Sequence, residues 1–194
     1  MRRPLQIAFL TGQSNPGNAA LSPLQQAFLE ALPAPAEWKV RTNFPYPDIP
    51  QTFQRTPLPT ASLHNLSLYL HSRRPEFAAT YRPAVLAQID RAEQTLFLAG
   101  SSGLELLVNL HLPPPALARL HVFAYGPVAR RLPPCDARFV QGRDLISRLF
   151  FRVGGRSTRI ARVDCDHLAY LRHPAVLALC VEYLREIQAS KAHA

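Results

Sequence analysis

Apolar positions along this chain fall into two rhythms: short dense runs, and longer stretches where an apolar residue returns every third or fourth place. The first run, Leu5–Leu10, reads as a buried strand and ends in Thr11-Gly12-Gln13-Ser14-Asn15-Pro16-Gly17-Asn18, a cluster of turn formers. Ser22 then offers an N-cap, Pro23 a first helical residue and Gln25 a capping-box partner, ahead of an apolar face of Leu24, Phe28, Leu29 and Leu32. A helix over 22–32 follows, stopped by Pro33 and Pro35, and Trp38–Asn43 alternates as a second strand. Thr95–Leu98 is apolar throughout and suits a strand buried on both faces, and after it Leu104, Leu107, Val108 and His111 share a helical face. Pro113-Pro114-Pro115 breaks the chain. Leu120–Tyr125 and Ala137–Gln141 are further strands, Asp144 can cap a helical turn, and Ser157–Val163 alternates as the last strand. A final helix over 174–187 buries Val176, Leu177, Cys180, Val181 and Leu184.

Between the second and third strands, residues 44–59 carry Pro45, Pro47, Pro50, Pro57 and Pro59 with Phe44, Tyr46 and Phe53, a composition that excludes regular helix and central strand. Two readings stand level: a lid or binding rim whose aromatics meet a substrate, and a surface crossing pinned by aromatic anchors. Helices over 62–70 and 83–91 complete the crossover that a parallel strand requires. Five strands are expected among these stretches, and they alternate with helices without repeat or long linker. The expected architecture is α/β: a three-layer, mostly parallel sheet in a single domain over 1–194, with 44–93 as the proline/aromatic loop and helical crossover.

Composition narrows the partners. The formal charge is +9 and the pI about 10.2, which favours an acidic partner, with arginine pairs at Arg2-Arg3, Arg73-Arg74 and Arg130-Arg131. No finger, basic zipper or aromatic RNA-binding pattern accompanies them, so nucleic acid is not the expected partner. No apolar run approaches the roughly 20 residues of a membrane span. Three cysteines, Cys135, Cys165 and Cys180, are an odd number without metal spacing, which points to a reducing, cytoplasmic setting. His64 and His71 lack a carboxylate cluster, and no Gly-rich nucleotide loop is present, so neither metal nor cofactor is expected. Gly154-Gly155 between Arg152 and Arg156 reads first as a solvated basic turn, and second as a phosphate holder.

The chemistry concentrates in Ala99-Gly100-Ser101-Ser102-Gly103. A serine on a sharp strand-to-helix turn has its hydroxyl pushed out of the sheet, and the following N–H aims from a helix N-terminus at any oxygen turning negative nearby. A serine N-cap would account for the same letters. The segment resembles the nucleophile elbow of the α/β-hydrolase superfamily, with alanine in place of the first glycine. The resemblance implies that Ser101 is the nucleophile, that Ser102 lends an oxyanion-hole N–H, and that Ala99 and Gly103 are small because strand and helix meet there. Taking Ser102 as nucleophile would put Leu104 where a small residue is needed. Phe9-Leu10-Thr11-Gly12-Gln13 resembles the family's strand-His-Gly-x segment, with Thr11 replacing histidine, and implies Gln13 as the second N–H donor. Gly142-Arg143-Asp144-Leu145-Ile146 resembles the acid loop and Val163-Asp164-Cys165-Asp166-His167-Leu168 the histidine loop, which implies Asp144 and His167 as the remaining catalytic residues. His173 competes for the base, and Asp164 and Asp166 for the acid.

Together these matches imply a compact α/β-hydrolase-like fold lacking the first antiparallel strands. The implied activity is that of a serine esterase or thioesterase working through an acyl-enzyme on Ser101. An acyltransferase using the same intermediate, and a non-enzymatic basic module docking an acidic partner, are the alternatives. The expected substrate is a small-molecule ester or acyl thioester, the latter presented by an acidic acyl carrier protein or coenzyme A.

Overall fold

Six parallel strands form the sheet of the computed structural model, which describes residues 2–49, 51–151 and 160–192. In chain order the elements are β1 (Arg3–Phe9), α1 (Pro23–Ala31), a 3-10 turn (Ala36–Trp38), β2 (Lys39–Asn43), α2 (Leu58–His71), α3 (Pro75–Ile89) and β3 (Ala92–Gly100). There follow α4 (Gly103–Asn109), α5 (Pro114–Leu117), β4 (Leu120–Tyr125), β5 (Asp136–Gln141), α6 (Leu145–Phe150), β6 (Ile160–Arg162), a 3-10 turn (Tyr170–Arg172) and α7 (Pro174–Ala192). The strand order is β2-β1-β3-β4-β5-β6, and each neighbouring pair is parallel. From β1 the chain moves out to β2, then crosses back to lay β3 against the other side of β1. This reversal opens a crevice beyond the C-terminal ends of β1 and β3, where open α/β sheets bind ligands.

Both faces of the central strands β1, β3 and β4 are buried, which explains why these read as dense apolar runs, while the alternating stretches fall on the edge strands β2 and β6. Leu5, Ile7 and Phe9 of β1 and Leu96 and Leu98 of β3 pack with α1 and α7, through Phe28, Leu29, Val176, Cys180 and Leu184. The intervening Ala8, Phe97 and Ala99 turn to the opposite core, where Phe77, Val85 and Ile89 of α3 and Leu104, Leu106 and Leu107 of α4 cover them. Helix α1 starts as the sequence requires: Ser22 Oγ accepts the Gln25 N–H while Gln25 Oε1 accepts the Ser22 N–H. Across the α3 side, Gln6 Nε2 donates to the Gln88 carbonyl at 2.6 Å and to Thr95 Oγ1 at 2.9 Å, and Gln88 Nε2 donates back to Gln6 Oε1 at 2.7 Å.

Several boundaries differ from expectation for physical reasons. Helix α3 begins at Pro75, so Pro83 lies inside it rather than opening it. The burial of Phe77, Ala78, Val85 and Ile89 outweighs the backbone hydrogen bond that a mid-helix proline forgoes. Helix α2 starts at Leu58 with Pro59 in its first turn, and Pro114 opens the short α5 instead of merely breaking the chain, because proline suits the first helical turn. Helix α7 continues past Ile187 to Ala192. Of the last strand, Ile160–Arg162 is described; the rest of that stretch and the Gly154-Gly155 turn lie outside the described residues.

In the proline-rich crossing, Phe44 and Tyr46 are buried anchors. Tyr46 stacks on Phe97 at 6.2 Å and donates its hydroxyl to the Phe9 carbonyl at 2.8 Å. Phe53 is the exposed aromatic of the three, at 39%.

The tightest approach in the crevice is at Gly103, where a Cβ would fall 1.8 Å from the Leu10 carbonyl oxygen. A backbone atom cannot rotate aside, so Gly103→Ala is expected to destabilise the fold by about 3 kcal/mol, read as a lower urea midpoint with an unchanged slope.

Candidate active site

Strand β3 delivers Ser101 to the crevice in a conformation that costs energy. Ser101 has φ of 51°, a left-handed value uncommon outside glycine. Two backbone hydrogen bonds hold it there: its N–H donates to the Tyr125 carbonyl at 3.3 Å, and its carbonyl accepts the Val128 N–H at 2.9 Å. On either side, Gly100 leaves space that Tyr125 fills, within 2.5 Å of where a Cβ would stand, and Gly103 admits the end of β1. The Ser102 carbonyl accepts the Leu106 N–H at 3.0 Å and so starts α4.

Opposite the serine, the loop after β6 supplies His167. Its Nε2 lies 3.1 Å from Ser101 Oγ, and its Nδ1 lies 2.7 Å from Asp144 Oδ2. An ionised carboxylate can only accept, so Nδ1 carries the proton and Nε2 is left as the acceptor for the serine hydroxyl. Asp144 is 4% exposed and serves two neighbours with two oxygens: Oδ1 accepts the Ser147 N–H at 3.0 Å, capping α6, while Oδ2 faces the imidazole. Capping and orienting histidine are therefore compatible roles of one side chain.

The acid has a further partner that no spacing in the sequence marks. Tyr170, in the 3-10 turn after the histidine loop, donates its hydroxyl to Asp144 Oδ2 at 3.1 Å and accepts the Gly142 N–H at 2.6 Å. Burial pushes the Tyr170 phenol above its ordinary range, which keeps it a donor. The Arg143 N–H donates to the Cys165 carbonyl at 3.0 Å, so the acid and histidine loops are tied together beneath the imidazole.

The loop after β1 completes the crevice. Asn43, at the end of β2, accepts the Thr11 N–H on Oδ1 at 3.0 Å and donates from Nδ2 to Thr11 Oγ1 at 2.8 Å, a second pair the sequence did not reveal. Gly12 lies against the elbow: a Cβ there would stand 2.9 Å from Ser102 Oγ and 2.0 Å from Asn65 Oδ1 of α2. Gln13 is buried, with its side chain turned to the Phe44 carbonyl at 3.4 Å. Among the described residues, the backbone N–H groups of Gln13 and Ser102 meet no protein acceptor.

The competing residues are engaged elsewhere. His173 accepts the Ala175 N–H on Nδ1 at 3.3 Å, at the start of α7. Asp164 pairs with Arg143, and Asp166 is exposed, with its carbonyl accepting the Ala169 N–H at 3.0 Å.

Comparison with known proteins places the fold. No protein-family model matches the chain. Nor does any curated protein match it. Among solved structures, the chain is similar to esterase PE8, with a TM-score of 0.53 and 15% identity over 96% of this chain and 93% of that one. It is similar also to a putative hydrolase of the α/β superfamily from Xanthomonas campestris pv. campestris, with a TM-score of 0.53 and 17% identity over 96% and 99% of the two chains. The chain shares its fold with these two structures, here a six-stranded parallel sheet flanked by helices.

Tyr170→Phe removes the acceptor of the buried Gly142 N–H as well as a donor to Asp144. A loss of about 1–3 kcal/mol in stability is expected from denaturant unfolding, the cost of leaving a buried donor unpaired.

Proposed function

We propose that this protein is a serine hydrolase that cleaves an ester or thioester through an acyl-enzyme on Ser101. The observation that carries the reading is the continuous hydrogen-bonded chain from Ser101 Oγ through His167 to Asp144, 3.1 and 2.7 Å long in its two links, with the serine at a left-handed turn. His167 Nε2 takes the hydroxyl proton as Oγ bonds to the substrate carbonyl carbon, while Asp144 holds the ring and stabilises its charged form. The carbonyl oxygen, now an oxyanion, is met by the N–H groups of Ser102 and Gln13. When the tetrahedral species collapses, the alcohol or thiol leaves with the proton from His167. Water then repeats the sequence on the acyl-serine: His167 takes its proton, and the acid departs as Oγ regains one.

Exposed apolar side chains on the segments next to the site residues support an apolar acyl group. Leu145, Ile146, Leu149 and Phe150 of α6 and Leu168, beside Asp144 and His167, are exposed, as are Leu63, Leu66 and Leu70 of α2. Helix α2 touches the oxyanion loop through Asn65, and His64 Nδ1 lies 2.8 Å from the Ser14 carbonyl, which supports its role as a rim over the site. The free thiols of Cys135, Cys165 and Cys180 support a cytoplasmic setting. A charge of +9 favours a thioester presented by an acidic carrier or coenzyme A.

A fluorophosphonate probe is expected to add once to Ser101, by intact mass and peptide mapping, and not to Ser101→Ala. His167→Ala is expected to lower kcat toward a short-chain ester by about 10⁴-fold or more. Failure of the wild-type protein to label, or labelling at another serine, would falsify the assignment.

The carrier reading has its own measurement. Long-range attraction is screened by salt, whereas the contact-range chemistry at Ser101 is nearly independent of it. Thus kcat/KM for a carrier-bound thioester is expected to fall with added salt while that for a small neutral ester stays nearly flat. Equal salt dependence would remove the carrier and leave the hydrolase.

A further inference from the structure

Two of the arginine pairs, Arg73-Arg74 and Arg130-Arg131, are far apart in the sequence and meet at one cavity of about 350 Å³ between the start of α3 and the C-terminal end of α4. The first pair comes from the turn joining α2 and α3, the second from the loop after β4. Arg82 of α3 and His111, just past α4, complete a wall in which no carboxylate appears.

One carboxylate, Glu105, stands behind this wall and is 1% exposed. Its Oε1 lies 2.9 Å from Arg130 Nη2 and 3.5 Å from Arg73 Nε, and its Oε2 accepts the Arg130 N–H at 2.9 Å. Burial pushes the Glu105 carboxyl up, but hydrogen bonds from the Arg130 backbone and guanidinium and from Asn109 outweigh it and hold the group below its ordinary range. Of the five guanidiniums at the cavity, those of Arg73 and Arg130 pair with this acid.

The remaining contacts pin the arginines without neutralising them. Arg82 Nε donates to the Leu110 carbonyl at 2.7 Å, Arg131 Nη2 donates to Asn109 Oδ1 at 3.1 Å, and Arg73 lies over the Tyr69 ring at 4.3 Å. The Arg74 guanidinium has no protein partner among the described residues. Pro75, on the same wall, is the first residue of the 15-residue α3, whose N-terminal end adds a positive dipole. Such a concentration of like charge is unfavourable by itself and is relieved by a compact polyanion whose oxygens accept several guanidinium forks at once. Pinned side chains lose little freedom when the anion arrives.

We propose that this cavity is a binding site for a phosphate or diphosphate group of a small molecule, separate from the Ser101 crevice. Ser101 precedes α4, while Asn109 and His111 lie at the far end of that helix, about 10 Å along its axis at 1.5 Å per residue. The site does not depend on hydrolysis, and Ser101→Ala is expected to keep it.

The test is calorimetric titration of inorganic diphosphate into the full chain at low ionic strength, repeated with Ser101→Ala, with the double variant Arg74→Ala/Arg131→Ala, and with Arg2→Ala/Arg3→Ala as a control of equal charge change. All four arginines are exposed, and circular dichroism checks that the folds survive. The expected result is saturable binding near one equivalent, unchanged in Ser101→Ala, weakened about tenfold or more in the pocket variant and about twofold or less in the control. A nucleoside diphosphate run in parallel separates the sources: tighter binding than inorganic diphosphate assigns the group to a nucleotide-bearing ligand, and equal binding assigns it to the phosphates alone. Absence of saturable binding, or equal weakening in the two double variants, overturns the proposal.

Discussion

A carbonyl oxygen, that of Leu10, occupies the place where residue 103 would carry a Cβ, and the geometry of the crevice hangs on this approach. It brings the end of β1 against the start of α4. The loop holding Gln13 is thereby laid beside the turn holding Ser101, though the two are separated by most of the first half of the chain. The strand order reverses between β1 and β3, which sends the chain after β1 to α1 on one face and the chain after β3 to α4 on the other, with the crevice between them. Everything on the far side of the serine is arranged to match: Asp144 and His167 arrive on loops from β5 and β6, and the Arg143 N–H and Tyr170 hold those loops together.

Much of this frame can be read from the letters, and the reason is local. Strands buried on both faces are apolar except where polar side chains pair with one another, as Gln6 and Thr95 do, and helix α1 advertises its own start through Ser22, Pro23 and Gln25. The order of turn serine, post-strand aspartate and post-strand histidine is likewise a one-dimensional pattern, and the structure brings those three side chains into hydrogen-bonding contact. What escaped is what only tertiary contact decides. Pro83 looks like a helix start until the apolar face of α3 is seen to run through it. Phe44 and Tyr46 look equally suited to a rim or a core until Phe97 is placed beneath Tyr46. Asn43 and Tyr170 position Thr11 and Asp144, yet a buried polar residue outside any motif carries no mark of its partner.

Electrostatics divides the molecule in a way composition alone conceals. The net charge of +9 is a sum over the chain, and it says nothing of where the excess sits. Around Asp144 the donors and acceptors balance closely, with each carboxylate oxygen met by a defined partner. Around Glu105 they do not, because the folded chain gathers arginines from three segments against one acid. The two carboxylates are comparably buried and differ in what surrounds them.

The left-handed backbone at Ser101 bears on how such a chain would drift under selection. At φ of 51° glycine is the residue that folding stability alone would favour, since it enters that region without the steric penalty of a side chain. A serine there gives up some stability, which a use of its hydroxyl would offset. In a lineage released from that demand, position 101 is where the sequence would relax first, and toward glycine, whereas Gly103, fixed by the Leu10 carbonyl, would stay as it is for as long as the fold itself survived.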